Sequence, residues 1–316
     1  MGERAHAALI ADRGAAARSD DLFRSRAFLD AEGTTHTLRL TSLDRSALVP
    51  LIVREIEGTD RLDAVSPYGY PGATVEGGGS AVVAGEVDWS ETGLVSIFAR
   101  ERLVGEPWLA SARERSRVLL HDPDKPRRTR PRLAEQIRAN ERDGWSVEAT
   151  PGPASTAADC DAFAIAYEQT MRRAAAAERY FFAREYFDAV LSFDRSWLLV
   201  ARRERQLGAG AIAAVSDSTL HYYLGATADA ARAASPFKNV VASMLALADE
   251  LELPLNLGGG VTAGDGLETF KRGFANAELP FLAHEVVCDP GEYERLGGAD
   301  GGDDLFPAYR AGGGAT

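Results

Sequence analysis

Lysine is nearly missing from this chain of 316 residues. It occurs at Lys125, Lys238 and Lys271, and arginine supplies the remaining 32 of the 35 basic residues. Where the planar guanidinium is the default surface cation, a lysine can mark a place that needs a compact, titratable ammonium. Cysteine is as scarce. Cys160 and Cys288 lie far apart in no CxxC or Cys/His cluster, which argues against a disulfide scaffold and a zinc site and fits a reducing cytoplasm. No run of about 18 uncharged apolar residues occurs, so no membrane span is expected. The first thirty residues carry Arg4, Asp12, Arg13, Arg18, Asp20 and Asp21 and no apolar stretch of the signal-peptide kind. A Ser-His-Asp order, HExxH and GxxxxGK[ST] are all missing, which gives covalent catalysis little support. Positioning and electrostatic stabilisation remain, and a lysine with backbone N–H groups suffices for those.

What is present is ordinary in bulk and uneven in detail. Hydrophobic residues make up 45%, enough for a sizeable core, and the length suggests about two domains. A net charge of −12 argues against non-specific nucleic-acid binding. Between Arg113 and Arg142, however, ten Lys/Arg face five Asp/Glu, with the run Lys125-Pro126-Arg127-Arg128-Thr129-Arg130-Pro131-Arg132 at the centre. Such a run is most often a solvated linker, and a polyanion contact is the sharper alternative.

Two halves emerge. In the first, Thr37–Leu43, Leu48–Ile56, Leu94–Ala99 and Arg117–His121 read as strands, Asp122–Pro131 as a proline-punctuated loop, and Leu133–Gly144 as a helix. In the second, Ala157–Ala176 has helical spacing and Tyr186–Leu191 continues a second helix. Trp197–Ala201, Gly208–Val215 and Leu220–Leu224 form an antiparallel meander, and Val240–Leu251 is amphipathic. Leu255–Leu257 is a short strand running into a glycine loop, Gly258–Gly266, followed by a helix from about Leu267 and a last strand. The order predicts an α/β domain around a mixed sheet. The Gly/Asp/Ala-rich tail, residues 297–316, is expected to be disordered.

Several segments can carry chemistry. In the glycine loop Gly258, Gly259 and Gly260 let a ligand approach the backbone, and the following helix offers unpaired N–H groups. On that helix Lys271 follows Phe270 at the edge of the buried face; the bland reading is a tight turn with a surface lysine. Tyr68 and Tyr70 sit in the stiff turn Ser66–Gly72, suited to stacking on a ligand or to covering core. Arg172 could grip a phosphate or belong to a solvated helix end. Tyr222 lies in the strand His221-Tyr222-Tyr223, where at least one side chain points inward. Arg205–Ala211, RQLGAGA, satisfies the R/Q-x-x-G-x-G/A pattern of a CoA pyrophosphate cradle, but a strand follows it where that cradle needs a helix, so a hairpin turn fits better.

Taken together these residues resemble the FemABX family of aminoacyl-tRNA-dependent peptidyltransferases. The resemblance runs from about residue 20 to 296, on SPYGYPG at 66–72, SIFAR at 96–100, QIRANERDGWSVE at 136–148, YEQTMRR at 167–173, YFFAREYF at 180–187, LHYYLGA at 220–226 and, most specifically, LGGGVTAGDGLETFKRGF at 257–274. It implies an α/β (α+β) chain of two tandem acetyltransferase-like (GNAT) lobes, residues 1–145 and 146–296, each a mixed, largely antiparallel sheet flanked by helices. The active cleft is then in or beside the second lobe. It implies that Lys271 is catalytic, stabilising charge on the ester of the aminoacyl-tRNA, and that Phe270 lines the tRNA 3′-end site. Substrate contacts then fall to Tyr68, Tyr70, Arg172, Tyr222 and the three glycines, and tRNA contacts to Arg127, Arg128, Arg130 and Arg272. The aminoacyl-tRNA is a co-substrate, with no separate cofactor or metal. Wall-building members carry a tryptophan and a lysine near the N terminus; Asp21–Leu29 has neither, and no helical arm fits this length. The expected acceptor is therefore a small peptide or peptidyl-nucleoside antibiotic intermediate, free or carrier-protein bound, and no general base is evident. An acyl-CoA-dependent N-acyltransferase, a peptidoglycan-precursor aminoacyltransferase and a non-catalytic RNA- or peptide-binding protein are the alternatives.

Overall fold

The structure, a computed structural model, describes residues 4–260, 264–298 and 305–310. It divides into two compact units, residues 1–115 with 281–316 (unit 1) and residues 116–280 (unit 2). Unit 1 begins with β1 (Ala5–Ile10), α1 (Arg26–Ala31), β2 (His36–Ser42), β3 (Arg45–Glu55), β4 (Leu62–Val65), β5 (Thr74–Gly77), β6 (Val87–Asp88) and β7 (Leu94–Arg100). The chain enters unit 2 along β8 (Arg113–His121), followed by α2 (Pro131–Arg142), β9 (Ser146–Pro151), α3 (Ala157–Arg173) and α4 (Arg184–Leu191). Next come β10 (Ser196–Arg203), β11 (Gln206–Ser216), β12 (Thr219–Thr227), α5 (Phe237–Leu251), β13 (Leu255–Gly258) and α6 (Gly266–Lys271). It returns to unit 1 along β14 (Ala277–Val287) and α7 (Pro290–Arg295).

In unit 1 the strands lie in the order β6-β1-β2-β3-β4-β7-β14, with β5 also on β3. Only the β1/β6 and β4/β7 pairs among these are parallel. The period of two is plain in β2, where Leu38 and Leu40 are buried and Arg39 and Thr41 exposed. These leucines join Val49, Leu51, Ile97 and Trp108 in the core of the unit.

The C-terminal tail departs from the expectation of disorder. Residues 299–304 and 311–316 lie outside the described residues, but Leu305–Arg310 is ordered against unit 1. Arg310 donates from Nε to Asp63 Oδ2 (2.6 Å) and from Nη2 to Asp63 Oδ1 (2.9 Å), and the Tyr309 hydroxyl bonds Ser96 (2.7 Å) and Asp63 (3.2 Å). Asp63 is fully buried and also receives Arg54 at 3.0 Å. A buried carboxylate needs such partners, and the tail supplies one that its bulk composition hides.

Unit 2 has the order β8-β13-β12-β11-β10-β9, antiparallel except for β12/β13. α5 is the crossover between those two parallel strands. Its Val240, Val241, Met244, Leu245 and Ala248 form the buried face, packed on Ala209, Ala211, Ala213 and Val215 of β11. α3 and α4 pack against β10, β11 and β12, with Phe163, Tyr167, Phe187 and Val190 buried. β11 lies between strands on both sides and is made of small residues for a reason. A side chain at Gly208 would strike Trp145 (2.2 Å), and one at Gly210 would press on Phe163 (3.0 Å). The RQLGAGA segment is thus a hairpin followed by a central strand, with Arg203 paired to Gln206 across the turn. α2, read from sequence with the first lobe, contacts α5 in unit 2, where Asn140 Nδ2 donates to Asn239 Oδ1 at 2.8 Å.

Candidate active site

The parallel pairing of β12 and β13 is short. It joins Leu220 to Leu255 and His221 to Asn256 and then stops. From there β12 continues beside β11 to Thr227, through a register shift between Ile212 and Ala213, while β13 runs out beside β8 to Gly258. The Lys271 side chain lies where the pairing has ended. Its Nζ donates to Gly259 O (2.8 Å) just past β13, and sits 5.4 Å from the Tyr222 ring centroid on β12.

Local structure fixes this lysine. Asp265 caps α6, its Oδ1 accepting the Glu268 N–H at 2.7 Å, so the six-residue helix starts at a set point and delivers Lys271 in its last turn. Lys271 is buried at 8% exposure. Burial pushes its ammonium down to about 8, while the Asp265 charge pulls weakly the other way. Gly258 has φ +74°, and a Cβ there would stand 3.1 Å from Lys271 Nζ; a Cβ at Gly259 would meet Arg117 O at 2.8 Å. Both glycines are required by the close approach. Gly260 is exposed beside them, and Val261, Thr262 and Ala263 of the expected loop lie outside the described residues.

One residue that shapes this loop was not singled out from sequence. Asn256 Oδ1 accepts the Gly258 N–H (2.8 Å), and its Nδ2 faces His221 Nδ1 at 3.1 Å. His221 is buried, and burial lowers it to about 4, so the ring is neutral. The Asn256 contact assigns Nδ1 as acceptor and leaves Nε2–H to face Ser216 O at 3.4 Å. His221 is therefore a satisfied core histidine that holds Asn256, which in turn holds the glycine turn. A lone asparagine in a short strand carries no motif, so only the fold reveals it.

The aromatic residues form a wall beside the lysine. Tyr222 and Phe237 are 5.6 Å apart, Phe237 and Phe270 6.3 Å, and Phe270 and Phe274 5.4 Å. Any side chain at Gly225 would strike the Tyr222 hydroxyl (2.2 Å), so that glycine seats the ring. Tyr223 bonds through its hydroxyl to that of Tyr186 on α4.

The basic candidates fare differently from one another. Arg130 reaches the Lys271 segment, donating its backbone N–H to Gly273 O (2.9 Å) and Nη1 to Thr269 O (3.3 Å). Arg127 donates to Ala242 O on α5 (3.0 Å) and faces Asp249 at 3.6 Å. Arg128 is exposed and has no ion pair among the described residues. Arg272 is held by Glu268 (2.6 Å) and Glu278. Arg172 is exposed at the end of α3, paired with Glu168 at 2.6 Å, and is not part of the Lys271 group.

Tyr68 and Tyr70 belong to unit 1. Tyr70 packs edge-on against Phe23 (5.7 Å) and Phe281 (5.5 Å), and Tyr68 is 39% exposed with the Arg100 guanidinium 5.8 Å from its ring. The stretch Asp21–Leu29 supports this turn: Arg24 Nη1 donates to Pro71 O (2.6 Å), and Asp21 pairs with Arg24 (2.7 Å). No cluster of three or more His, Cys, Asp or Glu placed to hold a metal occurs among the described residues, nor is any helix there long and apolar enough to cross a membrane.

Chemically, the site in unit 2 offers a desolvated ammonium, a glycine backbone that a ligand can touch, and an aromatic wall. Comparisons with known proteins agree with the fold. A family model for the acetyltransferase (GNAT) domain matches residues 127–272, a span inside unit 2. A search of curated proteins gives no match. Among solved structures, the crystal structure of FemX superposes with a TM-score of 0.61 at 11% identity, covering 90% of this chain and 96% of that one. The C-terminal domain of a putative lysylphosphatidylglycerol synthetase from Agrobacterium fabrum gives 0.54 at 14% identity, covering 89% and 92%. L-PGS from Bacillus licheniformis gives 0.53 at 10% identity, covering 86% and 94%. The mixed, largely antiparallel sheets with helices are those expected from sequence, and the chain has a FemABX-like acetyltransferase fold.

Proposed function

We propose that the protein is an aminoacyltransferase that moves an amino acid from aminoacyl-tRNA to an amine, forming a peptide bond. The acceptor is a small peptide or peptidyl-nucleoside antibiotic intermediate. The observation that carries this reading is the Lys271 ammonium, buried between Gly259 O and the Tyr222 ring. In the reaction the acceptor nitrogen attacks the ester carbonyl, the C–N bond forms, and the carbonyl π electrons move to oxygen. The intermediate then expels the ribose oxygen, which takes a proton as the nitrogen loses one. An ammonium beside the developing oxyanion lowers that barrier, and more so out of water. Phe270 and its ring neighbours supply an apolar wall for the terminal base of the tRNA. Arg128, exposed on the loop that Arg130 ties to Thr269 and Gly273, supplies backbone charge.

The second reading, acyl-CoA-dependent N-acyltransfer, is favoured by the acetyltransferase-domain match. The CoA-pyrophosphate pattern in RQLGAGA does not help it. Ala209–Ala211 lies in β11 paired with strands on both sides, so its backbone groups serve the sheet and not a phosphate. Incubating the protein with dipeptide amines and either charged tRNA or acetyl-CoA separates the two. The proposal expects transfer from charged tRNA that RNase abolishes; acetyl transfer that survives RNase contradicts it.

A further inference from the structure

The basic run of residues 125–130 is not a free linker. It begins and ends on the segment that follows Lys271. At its start the Asn276 side chain pairs with both backbone groups of Asp122, Oδ1 accepting the N–H (2.7 Å) and Nδ2 donating to the carbonyl (2.9 Å). The same Nδ2 lies 3.4 Å from the carbonyls of Lys125 and Pro126, and the Asn276 N–H donates to Leu120 O at 2.9 Å. At the other end the Arg130 N–H donates to Gly273 O (2.9 Å). In the middle, Arg127 lies on α5 against Ala242 O and Asp249, and Asp249 is itself fixed by His121 Nε2 at 2.6 Å. Lys125 closes on Asp122 at 2.9 Å. Arg128 is exposed and, unlike Lys125 and Arg127, has no ion pair among the described residues.

We propose that Asn276 is a positioning residue: it latches the basic strap to the Lys271 segment, so that Arg128 meets an RNA phosphate in fixed register with the reacting ester. This rests on the aminoacyl-tRNA reading and adds to it a residue that touches no substrate. A side-chain amide suits the task because it offers a donor and an acceptor in one plane, matching the two backbone groups of Asp122. An arginine on an unfastened loop still attracts RNA, but loses part of its binding energy in ordering the loop. Preorganisation of the strap therefore appears as affinity and register, not as chemistry at the ester.

The strap tests itself conveniently. Proline follows Lys125 and Arg130, which blocks trypsin there and leaves cleavage after Arg127 and Arg128 as the report on strap opening. The experiment compares wild type, Asn276→Ala, Asn276→Asp, Arg128→Ala and the Arg128→Ala/Asn276→Ala pair. Each is followed by trypsin nicking, thermal melting and binding of total tRNA across a salt series. Asn276→Asp keeps the acceptor for the Asp122 N–H but turns a carboxylate oxygen toward carbonyls, so it releases the strap even if the alanine variant folds poorly. The inference expects nicking at least tenfold faster in either Asn276 variant, with tRNA binding about fivefold to tenfold weaker. It also expects the double variant to bind within twofold of Arg128→Ala alone, because a released strap and a missing Arg128 forfeit the same contact. A merely structural asparagine would give additive losses. Wild-type nicking rates in the Asn276 variants, wild-type tRNA affinity in a nicked variant, or additive losses in the pair overturn the latch. A wild type that binds no tRNA, with a strap still protected by Asn276, overturns the aminoacyl-tRNA reading and the RNA role resting on it, and leaves Asn276 as a loop anchor only.

Discussion

Lys271 Nζ and Gly259 O stand 2.8 Å apart, and this one hydrogen bond ties the last turn of α6 to the end of β13. No carboxylate forms an ion pair with the lysine among the described residues; the buried cation rests on a carbonyl and a ring face, with the Asp265 charge acting on it from the start of α6. Such a site is costly to keep charged.

The first prediction follows from that cost. Lys271→Met removes the buried charge and keeps the stem, so it raises stability at pH 7 by on the order of 1–3 kcal/mol while abolishing most transfer. The native pKa of about 8 lies below the usual 10.5. The unfolded chain therefore binds more protons between those values, and wild-type stability rises with pH across that window. Thermal melts from pH 7 to 10 check both: the wild type gains on the variant as pH rises.

Activity has its own pH signature. In the proposed mechanism the ammonium form of Lys271 acts, so the transfer rate is expected to fall above about pH 8 as that proton leaves. The acceptor amine must be neutral, which supplies the opposing limb. Lys271→Arg keeps its charge throughout and loses the alkaline limb, at reduced rate because a planar fork fits poorly. Single-turnover rates from pH 6 to 10, corrected for free ester hydrolysis, show whether the limb is there.

Gly258→Ala places a methyl where φ is +74° and 3.1 Å from Nζ. It is expected to cost about 1 kcal/mol of stability and to cut turnover about tenfold by displacing the ammonium, with little change in tRNA KM. Asn256→Ala strands the Gly258 N–H and His221 Nδ1, at a cost of about 1–3 kcal/mol. Parallel melts and steady-state kinetics distinguish the two effects.

Much of unit 2 was legible in sequence. Three strands at hairpin spacing became β10, β11 and β12, and the amphipathic run 240–251 became most of α5. Strand, glycine loop and Phe270-Lys271 were read together, and the structure brings Lys271 onto Gly259 O at the end of that strand. The glycine loop was readable because a close approach restricts residue type, whereas Asn256 and Asn276 act through the three-dimensional meeting of distant segments and leave no local pattern. β1 and β9 were missed for a related reason: AHAALI is short and half alanine, and SVEATP is a short edge segment with weak alternation. Within the tail, Leu305–Arg310 escaped notice because composition averages over Phe306, Tyr309 and Arg310, the residues that dock.

That docking makes a prediction of its own. Arg310→Ala leaves fully buried Asp63 with Arg54 as its remaining cation, and is expected to lower stability by about 2–3 kcal/mol. Chemical denaturation measures the loss. Transfer per folded molecule stays at the wild-type value, because the pair belongs to unit 1 and the lysine to unit 2.

The most direct measurement is single-turnover transfer of labelled amino acid from charged tRNA to a dipeptide amine, wild type against Lys271→Ala. The account predicts a fall of about 10² or more, the scale of losing one oxyanion donor, with the tRNA still bound. An alanine variant that transfers at the wild-type rate contradicts it.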